Sequence, residues 1–311
     1  MSTVVVVGEV VLDRIIQDGH HNDVLGGSAA NTALALVRCG HHVDLRARFG
    51  SDKAGHFLKS QTQALGIDIT NSINATQHAT VVEAVIDQSG VPTFTFKLDN
   101  TADWFWTTEE LSTALAPDTV AITTGSPASI ANPGFGALFE WTAQQVKQGL
   151  AFFYDPNIRP SVIEPLGLQD VARPRLFQWM SLATVVKASD EDLRWLSPDA
   201  PTRETAAHLS TLGPTLVVLT EGARGASAFC AGSLVTEVQA PSVTVADTVG
   251  AGDTVMAWLI SGLTGLVRET WTEKAVLDVL LTRAVKAAAY TCTQVGANPI
   301  VATSLEEFLA E

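Results

Sequence analysis

The stretch DTVGAGDTVMAW, residues 247–258, places three small residues, Gly250, Ala251 and Gly252, between two aspartates and ahead of an apolar helical run. Glycine-rich turns that open helices bind anions. The first N–H groups of a helix are unpaired, and its N-terminus carries partial positive charge. A carboxylate at the lip of such a turn, Asp253, would repel a resting anion. Two readings of Asp253 stand side by side. It is a helix cap, since Asp is a favoured capping residue, or it is a base. As a base, it accepts the proton of a hydroxyl that attacks a phosphate, while the N–H groups hold the charge on the transferred phosphoryl group.

Working outward, strand-like and helix-like segments alternate. Residues 4–7 are a continuous β-branched run, the pattern of a strand buried on both faces. Further strands are expected at 44–49, 119–124, 151–154, 184–186 and 216–220. Helices are expected at 31–39, 53–65, 134–148, 191–196, 204–212 and 276–293. This alternation argues for a parallel sheet covered by helices. One region departs from it. Residues 80–86 and 93–98, joined by DQSGVP, read as a β-hairpin, and with 10–16 they would form a small separate sheet. A second hairpin is expected at 226–229 and 233–238.

Composition narrows the class. The chain has 311 residues, 46% of them apolar and 17% charged, so a sizeable core is expected and disorder is not. The formal net charge of -14 disfavours nucleic acid and anionic membranes as partners. No apolar stretch approaches a membrane span, and MSTVVVVGEVV lacks a basic leader. Cys39, Cys230 and Cys292 are odd in number and widely spaced, which reads as buried thiols in a reducing, cytoplasmic setting. The signatures GxxxxGK[ST], GxGxxG, HExxH, CxxC and GxSxG are absent.

Other stretches place polar groups where strands hand over to helices. LGGSAANTALALVRCG, residues 25–40, offers close backbone approach at Gly26 and Gly27, capping by Ser28 or Asn31, and an amide at Asn31 that can bond a ligand hydroxyl. FGSDKAGHFL, residues 49–58, is a turn with Asp52 as N-cap. YDPNIRPSV, residues 154–162, sets Asp155, Asn157 and Arg159 at the carboxyl edge of the sheet, where open α/β sheets bind ligands. VVKASDED, residues 185–192, is a solvated acidic helix start or a water-mediated Mg²⁺ site. VVLTEGARGA, residues 217–226, is a strand followed by two spaced glycines. Trp104 and Trp106 are expected in packing rather than on a ligand, and the pairs His20–His21 and His41–His42 in exposed loops.

In this order, these stretches resemble the ribokinase family, also called PfkB carbohydrate kinases. GGSAANTALALVRCG with GSDKAG is similar to the family's first signature, and DTVGAGDTVMAW to its second. The similarity runs from VVVVGEVVLD to VGANPIVATSLEEFL. It implies one domain over 1–311, a ribokinase-like three-layer α/β/α sandwich with a mostly parallel sheet. A small projecting β-sheet at about 10–24 and 78–100 would act as a lid and as a homodimer contact. It implies ATP-dependent phosphorylation of a sugar, with Asp253 as base and Gly250, Ala251 and Gly252 as the anion hole. Sugar-binding positions would be Asp13, Gly26, Gly27, Asn31, Asn157 and Arg159. Nucleotide-side positions would be Lys187, Ser189, Thr220, Gly222 and Gly225. Mg²⁺ is implied near Asp192 through water, and a monovalent cation, K⁺, near Asp247.

Two positions depart from the family pattern. An Asn-x-x-Glu element reads Ser189-x-x-Asp192, and an Asn ahead of the tail's alanine run reads Val285. GEVVLD and YDPNIRP look most like the fructokinase branch. Ketodeoxygluconate kinase and ribokinase are the alternatives, and a sugar- or nucleotide-binding sensor without turnover is the alternative of another class.

Overall fold

The computed structural model describes residues 2–86 and 92–305. The chain opens with β1 (Thr3–Val7), whose side chains are all buried. β2 (Val11–Gln17) and β3 (His20–Gly26) follow as an antiparallel pair. α1 (Ser28–Arg38) leads to β4 (His42–Arg46), which returns parallel to β1. The short β5 (Arg48–Phe49) and β6 (Ile73–Asn74) pair across α2 (Lys53–Ala64). β7 (Val81–Ile86) and β8 (Pro92–Lys97) then join β2 and β3.

From β9 (Thr119–Gly125) onward the alternation is regular. α3 (Phe135–Lys147), β10 (Ala151–Asp155), α4 (Pro160–Ile163), α5 (Gln169–Leu182), β11 (Val185–Ser189), α6 (Asp190–Leu196), α7 (Thr202–Leu209) and β12 (Leu216–Thr220) follow. The antiparallel β13 (Ala226–Cys230) and β14 (Ser233–Val238) close the edge, and α8 (Ala251–Thr264) and α9 (Lys274–Cys292) end the fold.

The large sheet has eight strands in the order β14-β13-β12-β11-β10-β9-β1-β4. Its strands bury both faces. Val4 and Val6 pack with α1, α8 and α9, while Val5 and Val7 pack with α3, α5 and α6. The same alternation recurs at Phe153 against Phe152 and Tyr154. Period-two alternation between two apolar layers is what makes a parallel sheet read as an unbroken apolar run. The architecture is the expected three-layer α/β/α sandwich with a separate small sheet.

β1 has β4 on one side and β9 on the other. The chain goes first to β4, then crosses back to β9 and continues in that direction. The carboxyl ends of β1 and β9 therefore flank a topological switch point, where open α/β sheets form their crevice.

Several expectations change in detail. Residues 44–49 are two strands, not one, because the chain leaves the large sheet at Ala47 and pairs β5 with β6. The small sheet has four strands in the order β3-β2-β7-β8, and β3 was not expected. His20 and His21 thus lie in a strand rather than a loop, as does His42, while His41 is half-buried. α5 was also missed; Pro174 and a weakly apolar face hide it. The hairpin turn DQSGVP lies largely outside the described residues. The cysteines are free and half-buried rather than fully buried. Trp104 and Trp106 are buried, and Trp104 also borders the cleft that holds Asp13 and Asp253.

The small sheet is tied to the core by Asp103. Its carboxylate accepts from Val10 N at 3.1 Å and from Thr80 Oγ1 at 2.5 Å, and Thr80 also bonds Thr101 at 2.8 Å. Burial pushes Asp103 up to about 6. Asp103→Ala would leave the Val10 amide and the Thr80 hydroxyl buried without an acceptor. Each such group costs about 1–3 kcal/mol, so urea unfolding should show a loss of about 2–4 kcal/mol. An unchanged midpoint would show that the tie contributes nothing.

Candidate active site

A cleft of about 740 Å³ opens between the small sheet and the carboxyl edge of the large one. Asp13, Gly27 and Asn31 line it from β2 and the start of α1. Asn157 and Arg159 line it from the turn after β10, and Gly250, Gly252 and Asp253 from the start of α8. Residues more than 200 positions apart in sequence, such as Asn31 and Asp253, thus share one wall.

α8 begins at Gly250, whose φ of 79° is left-handed and whose hypothetical Cβ would lie 2.7 Å from Ala297 Cβ. Only glycine suits that position. The expected anion hole is narrower than the sequence implied. The Ala251 amide turns onto Thr248 O at 3.3 Å, and Ala251 does not line the cleft. Gly250 and Gly252 do line it.

Asp253 is not the helix cap. Gly250 holds the N-cap position, and no side chain caps α8. The Asp253 carboxylate is buried, 9% exposed, and three side chains of α1 converge on it. Ser28 Oγ donates to Oδ1 at 2.6 Å, Asn31 Nδ2 to Oδ2 at 3.0 Å and Thr32 Oγ1 to Oδ1 at 3.5 Å. A carboxylate has about four acceptor positions, so room remains for a substrate hydroxyl. Ser28 and Asn31, read as candidate caps of α1, do not cap it; Gly27 is its N-cap, and both side chains serve Asp253.

Beneath the α8 turn lies a buried cation. Lys187 Nζ donates to Asp155 Oδ2 at 2.5 Å, and a Cβ on Gly252 would come within 2.9 Å of Nζ. Burial works against the Lys187 charge, but Asp155, Asp192 and Asp253 outweigh it and hold its pKa above the ordinary value. Burial pushes Asp155 up to about 6 despite Lys187. Asp13, whose carboxylate sits where a Cβ on Gly26 would fall, is pushed up to about 6, again by burial.

The remaining expected residues lie further along the sheet edge. Ser189 and Thr220 are register partners at the ends of β11 and β12. Gly222 and Gly225 shape the next turn, with φ of 56° and 100°. The acidic run at 190–192 is not simply a solvated helix start. Asp192 is buried and forms a capping box with Ser189, and its other oxygen accepts from Ile158 N at 2.7 Å. That bond ties the β10 turn carrying Asn157 and Arg159 to α6. Asp247 accepts from Val249 N at 3.0 Å and from Gly296 N at 2.9 Å, pinning two loops together. Among the described residues no group of three His, Cys, Asp or Glu could hold a metal ion. None of their helices is long and apolar enough to cross a membrane.

Three cleft residues escaped the sequence reading: Glu9, Ser28 in its contact with Asp253, and Ser126. Glu9 follows β1 and Ser126 follows β9, so both sit at the switch point. Ser126 has φ 60° and ψ 174°, a strained conformation for serine of the kind that gathers at functional sites.

Comparison with known proteins agrees with this geometry. Residues 1–303 match the pfkB family carbohydrate kinases. A fructokinase of Rhizobium leguminosarum bv. trifolii is 31% identical over 261 residues, covering 82% of this chain and 78% of that protein. A fructokinase of Klebsiella pneumoniae is 30% identical, covering 83% of each. A double-mutant fructokinase of Vibrio cholerae O395, solved with fructose, ADP and potassium ion, superposes with a TM-score of 0.86 at 26% identity, covering 99% of this chain and 98% of that one. On the match over residues 1–303 and these relatives, the chain belongs to the pfkB family and is an ATP-dependent carbohydrate kinase.

Proposed function

We propose that the protein transfers the γ-phosphoryl group of ATP to a hydroxyl of fructose, with Asp253 as the base. The observation that carries this reading is the position of Asp253 on the wall shared by Asp13, Asn31 and the amides of Gly250 and Gly252. The fructokinase relatives support the choice of sugar.

A sugar hydroxyl is a far weaker acid than a carboxylic acid of pKa about 3.9. Proton transfer to Asp253 therefore becomes favourable only as the oxygen bonds to phosphorus. Asp253 orients the hydroxyl early and takes its proton late. Gly250 and Gly252 donate to the transferring oxygens, and the Lys187 ammonium beneath them offsets their charge. Asp13, Asn31 and Asn157 hold sugar hydroxyls; Gly26 and Gly27 let the backbone approach. Ser189, Thr220, Gly222 and Gly225 border the nucleotide.

Mg²⁺ would be held by the ATP phosphates, with Asp192 reaching it through water, and would offset phosphate charge. Asp192 also anchors the β10 turn. The loops that Asp247 pins would hold a potassium ion. The free thiols suit a reducing, cytoplasmic compartment.

One observation favours a second reading. Arg159 lines the cleft, is exposed, and makes no ion pair among the described residues. A free guanidinium matches a carboxylate, which favours ketodeoxygluconate. The small sheet also offers a contact surface: Ile15, Ala84 and Phe94 form one cross-strand row, with Ile15 38% and Phe94 56% exposed. We assign a homodimer to that sheet.

Asp253→Asn should lower kcat by about 10²–10⁴-fold with the KM for ATP unchanged; near-normal kcat in a coupled ADP assay would remove the base assignment. Arg159→Ala should leave fructose turnover intact if fructose is the substrate, and should lose ketodeoxygluconate turnover selectively if that reading holds. Equal losses with neutral and acidic sugars would make Arg159 structural. Sedimentation should give a dimer that Phe94→Asp dissociates. A monomer at every concentration would remove the dimer.

A further inference from the structure

Ser28 stands between two carboxylates. Its hydroxyl donates to Asp253 Oδ1 at 2.6 Å, and its amide donates to Glu9 Oε1 at 3.3 Å. The second bond has a reason in the helix. α1 has no side-chain cap, because Gly27 occupies the N-cap position with φ 98°. A Cβ there would lie 2.5 Å from the carbonyl oxygen of Glu9. Any ordinary capping side chain is excluded, yet the first amides of a helix need acceptors. Glu9 supplies one from outside the helix, from the end of β1.

Glu9 is 5% exposed, and its Oε2 has no hydrogen-bond partner. A space of about 10 Å³, lined by Glu9, Ser28, Thr32, Thr124, Ser126 and Asp155 among others, lies beside it. That is about enough for one water with polar neighbours. A buried carboxyl oxygen without a partner costs stability whatever the other oxygen does.

We propose that Glu9 is a positioning residue for phosphoryl transfer: by holding the Ser28 amide, it fixes the Ser28 hydroxyl that orients Asp253. The chain of contacts is Glu9 to Ser28 to Asp253, and no part of it requires a particular sugar. The inference rests on the kinase activity and on Asp253 as base. It does not rest on fructose.

The electrostatic surroundings allow Glu9 to act by hydrogen bonding rather than by charge. Burial pushes it up to about 7 and Asp103 adds to the shift, while the neighbouring Ser126 hydroxyl and the Glu9 and Ser28 amides pull the other way. Asp155 lines the same space, and Lys187 lies beyond it, paired with Asp155. A pKa raised in the folded state favours the protonated form there. Stability therefore falls as pH rises from the unfolded value through about 7.

The test compares Glu9→Met, Glu9→Gln, Ser28→Ala and the double variant Glu9→Met/Ser28→Ala in the full chain, by ADP release with the best accepted sugar. Glu9→Met, similar in size and unable to accept, should lower kcat by about 10–100-fold with the KM for ATP unchanged. Glu9→Gln keeps an acceptor oxygen and should recover most of that loss. Its Tm at pH 8 should equal or exceed that of the wild type, because a buried charge is gone. Ser28→Ala should lose kcat to a similar extent, and the double variant should be no slower than the slower single one. Losses that multiply, or Glu9→Met with unchanged kcat, would overturn the proposal while leaving the kinase standing. A fall in Tm with no recovery of kcat in Glu9→Gln would do the same. Absence of ADP release by the wild-type chain with every sugar would overturn both.

Discussion

Asp253 is gripped by side chains of α1, a helix that begins 225 residues earlier than Asp253 itself. This requires the N-termini of α1 and α8 to meet at the carboxyl edge of the sheet. The meeting is built by apolar packing: Ala30, Ala33 and Leu34 of α1 and Val255, Met256 and Leu259 of α8 belong to one buried cluster with Val4 and Val6 of β1. Small residues on α1 let the two helices approach. The polar geometry of the cleft is thus a consequence of how an alanine-rich face seats on a valine strand.

That convergence concentrates charge. Lys187 is buried among Asp155, Asp192 and Asp253, and Glu9 and Asp13 stand nearby. Buried ions persist only where they are paired or hydrogen-bonded. Here the satisfaction is shared: Asp253 by α1, Asp192 by the β10 turn and its capping box, Asp155 by the ammonium. The excess of carboxylates means that an incoming polyphosphate meets negative charge. The helix start of α8 and the buried Lys187 ammonium carry the positive charge that faces it.

The sheet was legible because β-branched runs such as 4–7 and 216–220 bury both faces and say so in composition. The helix start at Gly250 was legible because a glycine turn precedes an apolar run, while residue type alone left Asp253 open between cap and base. Its grip by α1 was not, since no local pattern records a contact across more than 200 residues. Ser28 read as a cap by its residue type; the positive φ at Gly27 moved the cap one place and freed the hydroxyl. The small sheet was partly legible. Its hairpin alternates, but HHNDVLG in β3 is polar enough to pass for a loop, because six of its seven residues are exposed or half-buried. Glu9 carried no signal beyond a lone acid after a valine run.

Gly252 shows how much a missing atom can determine. A single methyl there would enter the space of the Lys187 ammonium. The tip of that side chain would have to shift slightly while still within reach of Asp155. The bare Cα of Gly252 thus lets the start of α8 rest against the Lys187 ammonium, which in turn holds Asp155 at the end of β10. One ammonium therefore sets the spacing between a helix start and a strand end that lie about a hundred residues apart in sequence.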